Sequence, residues 1–345
     1  MTDTANLKYI RACRGEKMDV PPAWLMRQAG RYLPEYREVR AKHEFLDICN
    51  NPEIACEVTL QPIRRFGFDA SILFSDILIP LVPMGANLTF GEGEGPRIDP
   101  PIRTIKDIES LRPVEPREDM SFVLDAIKMI RRELPAEIAL IGFAGAPFTL
   151  ATYLVEGGKP NPFANIKKLM YSEPEAFNSL LEKLGVMVAD YMKAMVEAGA
   201  DAIQIFDTWG GILNAYDFRS VNLPIVQKIF DTLKKIDVPK TYFAHNGTHL
   251  LKEIKDSGCD VASLDWRCPI PAARYVFGED IAIQGNLDPT VLLGDETGVR
   301  NAVRRVIESA EGPGGHIFNL GHGILPMTPI SAVETMLDEI RGGGK

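Results

Sequence analysis

Several features that would classify the chain at once are missing. Nowhere do 18 apolar residues follow one another, so no stretch reads as a membrane-spanning helix. The opening MTDTANLKYIRACRGEK has no apolar run before a small-residue cleavage site, so no secretory signal is expected. Cysteine is scarce: Cys13, Cys49, Cys56, Cys259 and Cys268, an odd count with no CxxC pair. That usage fits free thiols in a reducing compartment and excludes a disulfide framework or a zinc ribbon; a cytoplasmic location is the expectation. Positive charge is in the minority, with 38 Lys and Arg against 47 Asp and Glu, net -9. This argues against nonspecific nucleic-acid binding and against adhesion to anionic membranes. There is no phosphate-binding Walker loop, no dinucleotide fingerprint in a strand–loop–helix setting, no HExxH, and no clustered Cys/His set. Neither a cofactor nor a metal is expected.

What is present is a pattern of short apolar runs. Eight of them recur: 23–26, 68–74, 138–143, 201–207, 240–246, 259–265, 280–286 and 315–321. Most are too short for helices and rich in Ile, Val, Leu and Phe, as buried strands are. Helical patterns lie between many of them. One runs from the Asn-Pro cap signal at Asn51 to Gly67, and a long one spans about 172–200. Strands alternating with helices imply parallel sheet, and eight units without a linker predict a single-domain (β/α)8 barrel over 1–345. A doubly wound sheet with an accessory domain is the competing arrangement. The N-terminal segment 1–22 is basic, and the tail 342–345 is expected to fray. The spacing of the early runs requires insertions, one of them around GEGEGPRIDPP (91–101), read as a mobile turn or hairpin.

Catalytic groups in such a barrel belong just past the C-terminal ends of strands. Those positions are Arg27, Asp76, residues 145–147, Asp207 with Thr208, His245, Asp265, Asn286 with Asp288, and His322. Residues 1–42 carry +4 while the remainder carries -13, which fits a local anion site or a solvated basic tail. Arg27 and Arg31 flank Ala29 and Gly30, with Arg37 and Arg40 close behind. Their planar forks suit several carboxylates; salt-bridged surface arginines are the plainer alternative. Asp76 is a lone charge in the apolar run ILFSDILIP. Burying it requires donors, a counter-ion or a ligand, unless it simply caps a turn. His322 sits between two glycines and could donate to a carboxylate or move protons. Tyr153 and His245 read more readily as core or supporting residues.

The segments WLMRQAGRYLPEYR, FSDIL, GFAGAPFTLATYLVEGG, QIFDTWGG, LDW and NLGHGILP occur in order. Together they resemble the uroporphyrinogen decarboxylase family from about residue 20 to 335. The resemblance implies a dimeric (β/α)8 barrel that turns the four acetates of uroporphyrinogen into methyls, giving coproporphyrinogen without metal or organic cofactor. Carried over by motif, Asp76 accepts hydrogen bonds from pyrrole N–H groups. Arg27 and Arg31, with Gln28, Ala29 and Gly30, line the carboxylate-binding edge, and Arg40 assists from the next helix. Tyr153 and Thr208 supply hydroxyls, His322 binds a side-chain carboxylate, and Arg27 is the candidate route for the proton. The family often has serine where Thr208 stands; threonine keeps the hydroxyl and adds a methyl. A corrinoid-dependent methyltransferase of a related barrel group is the rival. It calls for zinc on a His-x-Cys motif, and residues 245–247 read His-Asn-Gly.

Overall fold

The computed structural model describes residues 7–91, 95–158 and 162–343. Strand β1 spans Ala70–Ile72. A two-stranded antiparallel hairpin follows, β2 (Leu88–Phe90) with β3 (Pro96–Ile98). Then come β4 (Ala139–Gly145), β5 (Ala202–Asp207), β6 (Lys240–Ala244), β7 (Val261–Ser263), β8 (Ala282–Gln284) and β9 (His316–Ile317). Strands β1 and β4–β9 form one seven-stranded sheet, every pair parallel and in chain order. All seven lie inside or overlap the later seven apolar runs. All but β4 are shorter than those runs because the polar ends turn away into loops; β4 extends two residues past its run, to Gly145.

The first run behaves differently. Residues 22–24 make a single parallel bridge, Ala23 opposite Phe318. The Phe318 amide donates to the Pro22 carbonyl at 2.9 Å, and the Trp24 amide to the Phe318 carbonyl at 3.3 Å. On its other side the Ala23 carbonyl accepts from the Asp69 amide at 2.9 Å, and the Ala23 amide donates to Asp69 Oδ2 at 2.8 Å. Phe318 lies just past β9 and Asp69 just before β1, so the sheet curls far enough for one segment to touch both its edges. Two proline-restricted residues at 21 and 22 limit the ladder there, because proline cannot donate.

The helices form where the sequence signals them. Asn51 Oδ1 caps the helix Pro52–Phe66 by accepting from the Ile54 amide at 3.0 Å, and Gly67 ends it at φ 61°. The long helix Pro174–Ala198 buries an apolar face that includes Phe177, Leu181, Val188 and Met195. Residues 91–101 contain the strand β3 of the hairpin; of the expected turn, residues 92–94 lie outside the described residues, as do 344–345 of the tail. The basic N-terminal segment is not a solvated tail where it is described. Its helix Lys8–Cys13 buries Tyr9, Ile10, Ala12 and Cys13 and packs against β8 and β9.

Inside the curl a buried polar network links strands that are distant in sequence. Trp24 Nε1 donates to Gln284 Oε1 at 2.9 Å. Gln284 Nε2 donates to Gln204 Oε1 at 3.1 Å and Ser263 Oγ at 3.0 Å. Gln284 is fully buried, so removing its amide strands the Trp24 N–H in apolar surroundings. Replacing Gln284 by leucine, near in volume, is expected to lower the unfolding free energy by roughly 3 kcal/mol, read from the urea midpoint at unchanged slope.

Candidate active site

One cavity of about 350 Å³ opens at the C-terminal ends of the strands, a size ordinary for a ligand pocket. Its wall includes Arg27, Gln28, Ala29, Gly30, Arg31, Asp76, Tyr153, Thr208 and His322. Nine of the ten expected site residues therefore meet in one place. Arg40 does not line it; its guanidinium donates to the His43 carbonyl at the end of the helix Pro34–Arg40.

The segment carrying the arginines is held rigidly. Arg27 has φ 65°, a left-handed conformation that costs a non-glycine residue energy and persists only where its surroundings enforce it. The enforcement is visible on both sides. The Met26 amide donates to Asn319 Oδ1 at 3.0 Å, and the Leu25 amide to Gln28 Oε1 at 3.1 Å. Gln28 Nε2 reaches back to the Ala70 carbonyl at 3.3 Å, and Tyr32 OH donates to the Gln28 carbonyl at 2.8 Å. Gln28 is fully buried, with its amide committed to backbone at both ends. Arg27 and Arg31 are the reverse: both are exposed. Among the described residues neither guanidinium has a carboxylate within 4.0 Å.

Asp76 faces them. Its Oδ1 accepts from the Leu78 amide at 2.8 Å, tying the turn after β1. The other oxygen has no protein partner among the described residues. Desolvation pushes the carboxyl above the ordinary aspartate range, while the Leu78 N–H and the positive charge of Arg27 pull the other way. Asp76 is thus both a turn-holding aspartate and a wall group with one oxygen to spare. Tyr153 rises from the helix Pro147–Glu156; burial, and then the nearby Asp76, keep its phenol protonated well past neutral pH.

The other polar groups expected at the strand ends are spent on structure. Asp207 has no exposed surface and accepts from Thr149 Oγ1 at 2.6 Å, Tyr242 OH at 2.5 Å and Asn222 Nδ2 at 2.7 Å. Thr149 Oγ1 in turn accepts from the Trp209 amide at 3.0 Å, so this buried cluster clamps the turn presenting Thr208. Asp265 accepts from the Asn246 amide at 2.5 Å and the Arg267 amide at 2.8 Å. Asn286 donates to the carbonyls of Asp265 and Cys268, and Asp288 accepts from the Thr290 amide. These four residues do not line the cavity. Their positions matched the strand-end rule, but other groups of the protein claim them first: side chains for Asp207, backbone amides for Asp265 and Asp288, and backbone carbonyls for Asn286.

Unanticipated from the sequence is the apolar floor. Phe206 and Phe243 stand opposite each other in register on β5 and β6, with ring centroids 6.1 Å apart. Phe143 meets Phe206 edge-on at 5.5 Å. Phe45, Phe74 and Tyr36 cover another part of the wall. Within the strand runs these rings read only as core. For Phe143, Phe206 and Phe243 the available signal is that each is the last strand position whose side chain shares the interior phase set by Gln204 and Gln284. Pro96 also lines the cavity, so the hairpin is part of the site.

Comparison with known proteins agrees with this geometry. Residues 4–342 match the family model described as uroporphyrinogen decarboxylase (URO-D). The chain belongs to the uroporphyrinogen decarboxylase family. It is 49% identical over 331 residues to the uroporphyrinogen decarboxylase of Sorangium cellulosum, covering 96% of this chain and 95% of that protein. It is 45% identical over 340 residues to that of Carboxydothermus hydrogenoformans, covering 99% and 96%. Among solved structures, a methyltransferase from Methanosarcina mazei superposes with TM-score 0.83 at 22% identity, covering 98% of both chains. At that identity the likeness shows a shared fold. No helix among the described residues is long and apolar enough to cross a membrane.

His322 closes the cavity beside His245, with ring centroids 4.8 Å apart. Desolvation first, then the charge of Arg27, pushes the His322 imidazole down to about 3; burial lowers His245 as well. The unfolded chain takes up a proton near pH 6.5 that folded His322 refuses until about 3. Stability therefore falls as pH drops below 6.5, by roughly 2 kcal/mol at about pH 5 for this residue. His322→Gln is expected to shrink the difference in unfolding free energy between about pH 7.5 and about pH 5 by that order, measured by denaturant titration at both values.

Proposed function

We propose that this chain is a uroporphyrinogen decarboxylase that converts the four acetates of uroporphyrinogen into methyls, yielding coproporphyrinogen. One observation carries the reading: two arginines whose guanidinium groups have no partners among the described residues share a cavity with a carboxylate that keeps one oxygen free of those residues, over a floor of aromatic rings. The arginines match side-chain carboxylates, the floor matches a large apolar ring system, and the free oxygen of Asp76 matches pyrrole N–H donors.

The chemistry uses the substrate as its own electron sink, in place of a borrowed cofactor. A proton added to a pyrrole carbon makes that ring cationic. The C–C bond to the carboxylate then breaks, its electron pair flows into the ring, and CO2 leaves. A second proton ends on the exocyclic carbon, making it a methyl, and the ring gives its extra proton back. Each acetate thus consumes one proton overall. Asp76 stabilises the ring cation in a cavity where water competes little. Arg27 and Arg31 hold carboxylates, and Arg27 is the candidate route for the proton. His322 stays neutral and offers one N–H to a carboxylate. Thr208 and Tyr153 place hydroxyls beside the reacting acetate.

The same reading supplies the finer architecture. The segment at 22–24 acts as an eighth stave closing the curl into a (β/α)8 barrel, supported by its hydrogen bonds toward both edges. The chain is one catalytic domain over 1–345, cytoplasmic as its cysteine usage suggests and dimeric as the family resemblance implies. Light scattering on a sizing column is expected to give twice the 38.2 kDa chain mass. The methyltransferase alternative is weaker: the solved methyltransferase shares the fold at 22% identity, while decarboxylase relatives share nearly half the residues. Its His-x-Cys requirement meets His245-Asn246-Gly247.

The test is anaerobic incubation with uroporphyrinogen, followed by oxidation and separation of products by carboxyl number. Hepta- to tetracarboxylate products are expected; unchanged substrate with retained binding would make the protein a carrier. Asp76→Asn keeps an acceptor for the Leu78 amide and removes the charge. It is expected to fold normally and lose roughly 1000-fold in kcat. Near-native turnover in Arg27→Met would remove Arg27 from the proton route.

A further inference from the structure

No hydrogen bond or ion pair within the described protein fixes the guanidinium of Arg27, so its direction is set by shape. The left-handed backbone at residue 27 supplies one part. Residue 323 supplies the other. A side-chain carbon on Gly323 would lie 2.4 Å from Arg27 Cδ, 2.9 Å from Cγ and 3.0 Å from Nε. All three nearest atoms belong to Arg27, and they form the stem of the side chain, not its free end. The backbone of Gly323 lies outside the left-handed region, so alanine is conformationally allowed there and only space forbids it. The two segments are pinned together, because the Ile324 amide donates to the Met26 carbonyl at 3.0 Å. A collision at 323 cannot be relieved by sliding the two segments apart without breaking that bond.

We propose that Gly323 is a positioning residue for Arg27. Its bare backbone is the groove in which the arginine stem lies, and that groove aims the guanidinium across the cavity toward Asp76. The kinetic consequence rests on the decarboxylase reading; the structural claim does not. Arginine is long and rotamer-rich, so an unsupported guanidinium would sample much of the mouth. Confining the stem fixes the head without using up its hydrogen-bond donors, all of which stay available for ligand carboxylates.

The test is a double-mutant cycle with Arg27→Ala, which removes every atom the new methyl would strike. Gly323→Ala is expected to lower kcat/KM for uroporphyrinogen by roughly 10- to 100-fold, mostly in kcat, as a displaced reacting group does. In the Arg27→Ala background the same change is expected to cost less than about twofold. A crystal structure of Gly323→Ala is expected to show the Arg27 stem moved by about 1 Å or more with the backbone of 322–324 in place. An unmoved arginine, or an equal loss of activity in both backgrounds, would overturn the proposal. Should Gly323→Ala fail to accumulate folded, recovery in the double variant supports the groove and continued failure refutes it. If the wild-type protein leaves uroporphyrinogen unchanged, the functional reading fails, and the crystal structure still decides whether Gly323 seats Arg27.

Discussion

Charge separation across one cavity is the constraint that the site is built around. Burial pushes the Asp76 carboxyl up and the His322 imidazole down, and the charge of Arg27 acts on both, opposing the first shift and adding to the second; its field reaches both, yet among the described residues Arg27 and Asp76 form no ion pair. Left free, an arginine and a carboxylate in a partly dry cavity would collapse onto each other and neutralise both groups. The surrounding structure prevents that collapse. Leu78 holds one oxygen of Asp76 in its turn, while Gln28 and Asn319 hold the backbone beneath Arg27. The energy of that open pair stays available to a ligand that can sit between the charges.

Polar groups at the strand ends consequently fall into two sets. Asp207, Asp265 and Asn286 are hydrogen-bonded to other groups of the protein and do not line the cavity. The guanidinium groups of Arg27 and Arg31 and one oxygen of Asp76 have no partner among the described residues. The first set makes the second possible, since a loop that lacked internal partners would turn to the free arginines. The Asp207 cluster shows the dependence directly: through Thr149 and the Trp209 amide it fixes the turn on which Thr208 is presented.

This division sets what was legible in the sequence. Seven of the strands could be read because buried parallel strands are continuous apolar runs bounded by polar residues. The stretch at 22–24 was harder, since its prolines cut the ladder to a single bridge. Arg27 and Asp76 stood out because a charge in an apolar setting demands a reason. Asp207 and Asp265 stand in the same setting, and only the partners brought in from Thr149, Tyr242, Asn222 and Asn246 distinguish them. Those partners are fixed by three-dimensional placement. The phenylalanine floor was hidden for the opposite reason: a ring that lines a cavity and a ring that fills a core leave the same trace in a strand. Arg40 matched the pattern of a clamp but lies on a helix whose end directs it to His43.

The titration state of the wall completes the argument for chemistry without a borrowed electron sink. Burial keeps His322 neutral and Tyr153 protonated near pH 7, so neither adds charge that would compete with Asp76. In the proposed reaction, a cation formed on a bound ring would meet the spare oxygen of Asp76, while the arginines would be occupied by the substrate's own carboxylates. Were His322 protonated, a third positive group would stand in the same wall and oppose the cation that the proposed reaction assigns to Asp76. The depressed histidine, the spare carboxylate oxygen and the arginines left without protein partners are therefore one electrostatic design, and each makes sense only in the presence of the other two.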